Sequence, residues 1–507
     1  MISDILFIIN SQLDHVCVIQ LERGLNMWEL IKVHGKPVYQ SIVELVLNYI
    51  DQGRLLPGEK IPPERRLAEL LGVNRTTVVH AMDELVAMGV IIRKQGSGTF
   101  INDGKWGVYR GGAIDWRHYL NSKGNQAVHS YSFKVQEKLK ESKDGVCVDV
   151  YTSDLPLRLV PEIELPTISW KQFLNEEEYQ DEYGYLPLRR SIVGRLNLSN
   201  ELQLDIANLM VTPGAQQALL LLIQVLLSKG DSLAIESPSS FYQLSIFQAA
   251  GIRVYGIPVD DEGLRVDILE DNIIKNRIKM LLISPNFQNP TGTTMSLKRR
   301  KELITLCRKY QLPIVEDDVF GELYFSEEQR QPLLKKMDLE NVIYIGSFSK
   351  ILGATTKIGW LSGPIKVIEK MAKLRSELDF NMSIFPQVLA LNALENKTYE
   401  SQMNHLRIIL YERMIGLISE LDKKLKNEVE YYVPEGGCYL WLTVTSDKLL
   451  PSDYDKLLAQ GIAVAPGFLL GGDVQSMRIN FSRLTSKQTV ILVDSLKNML
   501  EKKRKRN

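Results

Sequence analysis

The sequence predicts an α/β protein with two folded parts: a small helical module that ends in a hairpin, and a large domain with a largely parallel sheet. Two observations predict it. Residues 30–102 contain short amphipathic helices and one hairpin pattern. From Val146 onward, short apolar segments rich in β-branched residues alternate with helical patterns, which is typical of buried parallel strands. The 507 residues exceed one ordinary core, so two or three folding units are expected.

Composition excludes several classes of protein. The chain carries 61 basic and 61 acidic side chains, so any binding of nucleic acid must come from a local basic patch. Its four cysteines, at positions 17, 147, 307 and 438, show no metal-ligand or redox spacing. We therefore expect no metal site and a reducing, cytoplasmic location. No apolar run is long enough to cross a bilayer, so no membrane partner is expected.

Two segments flank the small module. Residues 1–29 read as an N-terminal extension, and they lack the basic stretch and cleavage site of a signal peptide. The codons for Glu22-Arg23-Gly24 can spell a ribosome-binding sequence, so the natural start is either Met27 or Met1 with a short extra segment. Residues 103–145 are polar and glycine-bearing with weak periodicity, which indicates a linker to the large domain at 146–507.

The small module has the pattern of a winged helix-turn-helix. One helix is predicted over Val38–Asp51, and a second opens at Pro63-Glu64 and stops at Leu71-Gly72. Asn74 can cap a third helix, which runs from Arg75 to Met88. Two short strands joined by Gln95-Gly96-Ser97 then form the wing.

The side chains of this module suit double-stranded DNA. Arg75, Thr76 and Thr77 stand at the start of the third helix, the end that enters the major groove. Arginine can bind guanine with two hydrogen bonds, and threonine can contact a phosphate or a thymine methyl. Lys94 and the Gly96 turn can follow the DNA backbone or the minor groove.

The strings P-P-E-R-R-L-A-E-L-L-G-V-N-R-T-T-V and Q-G-S-G-T-F resemble the GntR family of regulators. That resemblance implies DNA contacts at Arg65, Arg75, Thr76, Thr77 and Gly96. The alternative is that the two arginines form surface salt bridges on an unrelated helical domain.

In the large domain, the string Ser347-Phe348-Ser349-Lys350 directly follows a predicted strand, Val342–Ile345. A lysine that forms a Schiff base with a phosphate-bearing cofactor needs hydroxyls or cations nearby, and Ser347, Ser349 and Lys357 supply them. Further strings have suitable chemistry: Gly214-Ala215-Gln216 before a long helix, Asn289 after one strand, Asp317 at the end of another, and Arg478 in Met477–Phe481. Such groups can bind a phosphate, a ring oxygen, a pyridinium nitrogen and a ligand carboxylate, respectively.

In this order and spacing, the strings resemble fold-type I aminotransferases, which use pyridoxal 5'-phosphate. The resemblance implies a mostly parallel sheet with flanking helices, a smaller C-terminal α/β subdomain and a homodimer. It makes Lys350 the lysine that binds the cofactor covalently, Asp317 the partner of the ring nitrogen and Asn289 the partner of the ring hydroxyl. It assigns the phosphate to Gly214, Ala215, Gln216, Ser347, Ser349 and Lys357, with Tyr179 reaching the phosphate of the neighbouring subunit.

Three positions depart from that family's pattern. Phe320 stands where a tyrosine hydroxyl usually bonds the cofactor, and Lys357 replaces the usual phosphate arginine. The ring that stacks on the pyridine falls at Ser240 by strict spacing, so Phe241 is the expected substitute.

A GntR-type module joined to such a domain resembles the MocR/GabR subfamily of bacterial regulators. The resemblance implies a protein that binds operator DNA and senses an amine, an amino acid or pyridoxal phosphate itself. Two alternatives remain: a working aminotransferase with an accessory DNA-binding module, and a repressor whose large domain has lost its cofactor and only dimerises. The sequence does not identify the effector or the operator.

Overall fold

The computed structural model describes residues 28, 37–51, 55, 58–102, 126–141, 148–164, 167–353, 356–378, 382–446 and 448–504. The chain divides into two compact units, residues 1–125 and 126–507. The alternative start at Met27, the cysteines at positions 17 and 147, and residues 103–125 and 142–147 of the expected linker lie outside the described residues.

The first unit contains the elements that its periodicity predicts. Its helices are Val38–Asp51, Glu64–Leu71 and Arg75–Ala87, and its antiparallel strands are β1, Ile91–Lys94, and β2, Gly98–Ile101. The predicted cap is present, because the side chain of Asn74 accepts a hydrogen bond from the Thr76 amide at 3.2 Å. One buried apolar cluster joins the helices to the wing, and it includes Ile42, Leu67, Val78, Leu85 and Ile91.

A helix over Gln126–Glu141 corrects the expectation that residues 103–145 form a linker with weak periodicity. Tyr131 and Val135 of this helix are buried in the core of the second unit, and Leu139 packs beside them. These residues are spaced four apart and form a single row, and the other apolar side chain of the helix that the structure describes, Phe133, is exposed. So narrow an apolar stripe gives little periodic signal in the sequence.

The second unit is built on an eight-stranded sheet of order β6-β13-β12-β11-β10-β7-β8-β9. The strands are Leu209–Thr212 (β6), Ser232–Ser237 (β7), Arg253–Asp260 (β8), Gly263–Leu264 (β9), Ile278–Ile283 (β10), Ile314–Asp317 (β11), Val342–Ser347 (β12) and Gly359–Ser362 (β13). The strands β8, β7, β10, β11 and β12 run parallel, as the sequence predicts, whereas β13 is antiparallel to both its neighbours.

Helices and a smaller sheet complete this unit. Its remaining helices are Trp170–Asn175, Leu186–Ser199, Ala215–Leu226, Ile246–Ala249, Val266–Asn276, Leu297–Lys309, Leu334–Met337, Ile365–Leu378, Ile384–Glu395, Tyr399–Leu425, Pro451–Ala459 and Ser486–Arg504. A second sheet has the order β14-β15-β18-β17, with strands Val429–Tyr431 (β14), Tyr439–Val444 (β15), Ala465–Pro466 (β17) and Ser476–Asn480 (β18). Short pairs join Val148–Asp149 (β3) to Ile462–Ala463 (β16), and Gln180–Asp181 (β4) to Gly184–Tyr185 (β5).

The direction of the parallel strands positions the candidate site. Asp317 closes β11 and Ser347 closes β12, and the loop that carries Asn289 follows β10. Because parallel strands end at the same edge of a sheet, these residues meet at its carboxyl edge, where open α/β sheets bind ligands. Among the described residues, no helix is long and apolar enough to span a membrane.

Candidate cofactor site and DNA-contact surface

A cavity of about 740 Å³ opens at the carboxyl edge of the large sheet. Every residue that the sequence assigns to cofactor or carboxylate binding lines it, except Tyr179. These residues are Gly214, Ala215, Gln216, Phe241, Asn289, Asp317, Ser347, Ser349, Lys350, Lys357 and Arg478. The fold therefore brings together residues that are up to 264 positions apart in the sequence, from Gly214 to Arg478.

One end of the cavity is suited to an anion. Gly214 has a positive φ of 85° and turns the chain into the helix Ala215–Leu226, whose first residues line the cavity with the amides of a helix N-terminus. Ser347 and Ser349 lie opposite, and the Ser347 hydroxyl donates to the carbonyl of Ile358 at 3.0 Å. Gly359 makes this approach possible, because a Cβ there would lie 2.6 Å from the carbonyl carbon of Gly214.

Lys357 adds the cation at the same end. Its side chain is exposed on the cavity lining. Its backbone has a positive φ of 43°, which residues other than glycine rarely adopt. Residues held in such a conformation concentrate at ligand sites. The amides, hydroxyls and ammonium group together form a cradle suited to a phosphate.

The cavity also contains a carboxyl group, that of Asp317, with one buried and unpartnered oxygen. Asp317 Oδ1 is buried and has no hydrogen-bond partner among the described residues. Burial, together with the neighbouring carboxyl of Asp318, raises the pKa of Asp317 to about 7. Asp318 itself is satisfied, since it accepts hydrogen bonds from Asn286 and from the hydroxyl of Tyr344. The unpartnered oxygen of Asp317 fits a cationic N–H donor, such as a protonated pyridine nitrogen.

Arg478 already has partners in the cavity. Its Nη1 donates to Asn289 Oδ1 at 3.0 Å, and its Nη2 donates to the carbonyl of Tyr151 at 2.7 Å. Its Nε is buried without a partner among the described residues, and the guanidinium lies 4.6 Å from the centre of the Tyr439 ring. A ligand carboxylate would compete with these acceptors for the guanidinium.

The departures from the family pattern also lie at the cavity. Phe320 is buried on its lining, edge-on to Tyr439 with ring centres 5.3 Å apart, and supplies no hydroxyl. Ser240 and Phe241 both line the cavity, and the Ser240 amide donates to the carbonyl of Asn289 at 2.9 Å. Tyr179 does not line the cavity of its own chain, and its side chain is 55% exposed.

Sequence reasoning missed the partner of the key lysine. Lys350 Nζ donates to Asp154 Oδ1 at 2.7 Å and lies 3.4 Å from the carbonyl of Ser153. Both residues belong to a short segment that lies 196 positions before the lysine. No pattern in the sequence marks Asp154, because Ser-Asp followed by Leu-Pro reads as an ordinary turn.

In the first unit, the predicted DNA contacts are accessible. Arg75 and Thr76 are exposed at the start of the third helix, and Thr77 is half-buried. The side chain of Arg65 is 86% exposed and lies 3.9 Å from Glu69, too far for a hydrogen bond. Arg65 thus forms a loose surface ion pair, and Arg75 has no ion pair among the described residues, so both side chains remain accessible to a ligand.

The wing presents two cations beside one ring. Lys94 Nζ lies 5.1 Å and Lys60 Nζ 5.8 Å from the centre of the Phe100 ring. Gly96 turns the hairpin with a positive φ of 73°. The sequence analysis did not identify Lys60, which precedes the second helix and reaches the wing only through the fold.

Comparisons with known proteins agree with both halves of this description. Residues 38–101 match the gntR family of bacterial regulatory proteins, and residues 151–496 match aminotransferase class I and II. The chain belongs to the GntR-type regulators of MocR/GabR architecture. The family resemblance and the fold class that the sequence predicts are thus confirmed.

Two bacterial transcriptional regulators are similar to this GntR-type regulator over most of its length. The uncharacterized HTH-type transcriptional regulator YisV of Bacillus subtilis is 32% identical over 466 residues, which cover 90% of this chain and 95% of YisV. The HTH-type transcriptional regulator NorG of Staphylococcus aureus is 29% identical, covering 83% of this chain and 95% of NorG.

Solved aminotransferases match the large unit of this GntR-type regulator. An archaeal alanine:glyoxylate aminotransferase superposes with a TM-score of 0.67 at 25% identity, covering 77% of this chain and all of the other. A multiple substrate aminotransferase from Thermococcus profundus has a TM-score of 0.66 at 26% identity and covers 78% of this chain.

Proposed function

We propose that this protein is a transcription regulator of the cytoplasm, which binds operator DNA through its winged unit and senses an amine or amino acid at the cavity around Lys350. The observation that carries the proposal is that one cavity contains both a lysine amine, that of Lys350, and the buried, unpartnered Oδ1 atom of Asp317. Residues 38–101, which match the gntR family, would supply the DNA-binding part of the molecule. Regulator and sensor would then be parts of one molecule.

The residues of the cavity fit pyridoxal 5'-phosphate. The cofactor, when bound, would supply an aldehyde that accepts an amine and a ring that withdraws electrons. Lys350 would bind it covalently, and Asp317 would hold the proton of the ring nitrogen. The remaining contacts follow from the lining: amides of Ala215 and Gln216, hydroxyls of Ser347 and Ser349 and the ammonium of Lys357 at the phosphate, Asn289 at the ring oxygen, and Phe241 against the ring face.

An exposed apolar surface next to the cavity supports a homodimer. A groove of about 450 Å³ is lined by Val160, Pro161, Ile163, Leu352, Thr356, Phe385, Pro386, Leu389 and Ala393. Trp170 is 64% exposed beside it, with its ring 5.9 Å from that of Phe385. Contiguous apolar surface of this kind marks protein interfaces. In such a dimer, the exposed Tyr179 would contact the cofactor phosphate of the neighbouring subunit, as the family resemblance implies.

A catalytic aminotransferase is the second candidate, since Lys350 and Arg478 line one cavity and could hold an amino acid between them. The absence of a hydroxyl at Phe320 counts against efficient turnover. A coupled assay with a panel of amino donors separates the two functions: a sensor binds the donor once, whereas an enzyme turns it over at ordinary rates.

A visible absorbance titration of the full chain tests the proposed function. Adding pyridoxal phosphate should produce an absorbance band that depends on Lys350, and an effector amine should then shift it. The Lys350→Ala variant should bind operator DNA but show no such band. A protein that stays colourless would support the reading in which the large domain only dimerises, and a band that persists in Lys350→Ala would show that a different group binds the cofactor.

A further inference from the structure

A short segment, Tyr151–Asp154, connects the two ligand-facing cations of the cavity. Lys350 Nζ holds the Asp154 carboxylate at 2.7 Å, and Arg478 Nη2 holds the carbonyl of Tyr151 at 2.7 Å. Lys350 and Arg478 are also the residues that the proposed function assigns to the cofactor and the effector carboxylate. Both contacts of the segment therefore compete with ligand binding.

The rest of the segment is anchored to the C-terminal subdomain. The hydroxyl of Tyr439 donates to the carbonyl of Ser153 at 2.7 Å, and Asn480 Nδ2 donates to the carbonyl of Thr152 at 2.8 Å. The Ser153 carbonyl also accepts from Lys350 at 3.4 Å and the Tyr439 ring lies beside the Arg478 guanidinium, so only the Asn480 contact is independent of both cations. A change at the cavity can thus release part of the segment without unfolding it.

The same segment contacts the helix Gln126–Glu141. The hydroxyl of Tyr151 donates to Ser132 Oγ at 2.9 Å, and its ring lies edge-on to that of Tyr131, with centres 6.3 Å apart. In the sequence, this helix is the first described element after the wing, with residues 103–125 between them. Any change carried along the chain from the large unit to the DNA-binding half would therefore pass through this helix.

We propose that Asp154 and Tyr151 are positioning residues that couple the state of the Lys350 amine to the helix Gln126–Glu141. The Asp154–Lys350 pair uses the freely rotating ammonium of the lysine, and covalent use of that amine would leave its nitrogen with at most one N–H, in a direction set by the new bond, so that the contact with Asp154 would be lost. Tyr151 transmits the change to the helix through its hydroxyl. The inference rests on the proposed function, because pyridoxal phosphate is the reagent that would occupy the amine.

Hydrogen exchange of the full-length protein, with and without pyridoxal phosphate, tests this coupling. In the wild type, the cofactor should speed amide exchange in residues 148–154 and 131–141. An ion pair exposed to this degree corresponds to a shift of roughly two- to fivefold in a local equilibrium. In Asp154→Asn, exchange should be fast from the start and should not respond to the cofactor.

Two further variants sharpen the test. Tyr151→Phe lacks the bond to Ser132, so residues 148–154 should still respond to the cofactor while the helix does not. Asp455→Asn is the matched control, since it removes the 3.0 Å ion pair between Lys134 of the helix and a carboxylate remote from the cavity. That variant can change the exchange rate of the helix without cofactor, but the helix should still respond to pyridoxal phosphate.

The outcomes distinguish this inference from the proposed function. If the wild type forms the absorbance band but the helix shows no change in exchange, the coupling is wrong and the sensor site stands. If Asp154→Asn responds as the wild type does, the ion pair has no positioning role. If the wild type forms no band at all, the proposed function fails and the coupling fails with it.

Discussion

Replacing Asp317 by asparagine should have opposite effects on the stability of the cofactor-free protein and on its affinity for pyridoxal phosphate. The carboxyl is buried, and burial together with Asp318 raises its pKa to about 7, against 3.8 for an ordinary aspartate. In the unfolded chain the group therefore ionises near pH 4, whereas in the folded protein it keeps its proton until about pH 7. Above pH 4, the Asp317 carboxyl must either take up a proton on folding or be buried as a charged group. Both lower the free energy of unfolding.

The size of this effect follows from the shift in pKa. A difference of about 3 pKa units corresponds to about 4 kcal/mol at pH 8, as an upper bound for a carboxyl that interacts with a second buried carboxyl. Asparagine cannot ionise, so Asp317→Asn should stabilise the cofactor-free large unit by about 2 to 4 kcal/mol at pH 8. The gain should shrink as the pH falls towards 4, where the unfolded aspartate is also protonated.

The same substitution should weaken cofactor binding. A hydrogen bond between ionised partners contributes about 1.5 to 3 kcal/mol, so the affinity for pyridoxal phosphate should fall about 10- to 150-fold. Urea unfolding at pH 8 and pH 4.5 measures the first effect, and an absorbance titration measures the second. Asp154→Asn is the control, because that exposed carboxylate should change cofactor-free stability by less than about 1 kcal/mol. A variant with unchanged stability at pH 8, or with undiminished affinity, would refute the reasoning.

Five other substitutions test three separate features: the DNA contacts, the anion-binding loop and the helix cap. Arg75→Ala should lower operator affinity about 5- to 150-fold and relax the base preference at one position, whereas Arg65→Ala should weaken binding to all sequences alike, as measured by DNA titration at several salt concentrations. Gly359→Ala should lower cofactor affinity about tenfold, because its Cβ would meet the anion-binding loop at 2.6 Å, while Gly363→Ala meets only ordinary contacts at 3.5 Å and should bind as the wild type. Asn74→Ala should cost the winged unit about 0.5 to 2 kcal/mol of unfolding free energy, measured by thermal unfolding.

Each of these results has a contrary outcome. Equal losses of base preference in the two arginine variants would remove the distinction between base and phosphate contacts. Equal cofactor affinities for the two glycine variants would show that the loop yields to the added methyl group. An unchanged melting temperature in the capping variant would mean that the helix end is satisfied by another group.

Local pattern was enough to predict most elements of the fold. The helix Val38–Asp51, the Asn74 cap and the strands that carry Asp317 and Ser347 all depend on spacing within a few residues. Several cavity residues, such as Gly214, Asn289 and Asp317, could be proposed because they stand at the start of a helix, at the end of a strand or in the loop after one, and the roles of the full set came from the resemblance to fold-type I aminotransferases. Parallel strands then bring those positions to one edge.

Contacts between distant parts of the chain could not be predicted in this way. The pairing of Lys350 with Asp154 and the approach of Lys60 to the wing depend on the tertiary fold, and neither leaves a periodic signal. The helix Gln126–Glu141 was missed because, among its described side chains, a single row packs in the core. The antiparallel β13 also escaped, since its direction is set by its neighbours and not by its own residues.

Operator affinity, measured for the wild type and for Lys350→Ala with and without pyridoxal phosphate and an effector amine, tests the central claim most directly. Both proteins should bind the promoter in the absence of small molecules, because Lys350 lies in the second unit. The wild type should change its affinity by at least about fivefold on addition of the ligands, and the variant should not. An affinity that is the same in every ligand state of the wild type, or an equal response from the variant, would contradict a sensor built on this lysine.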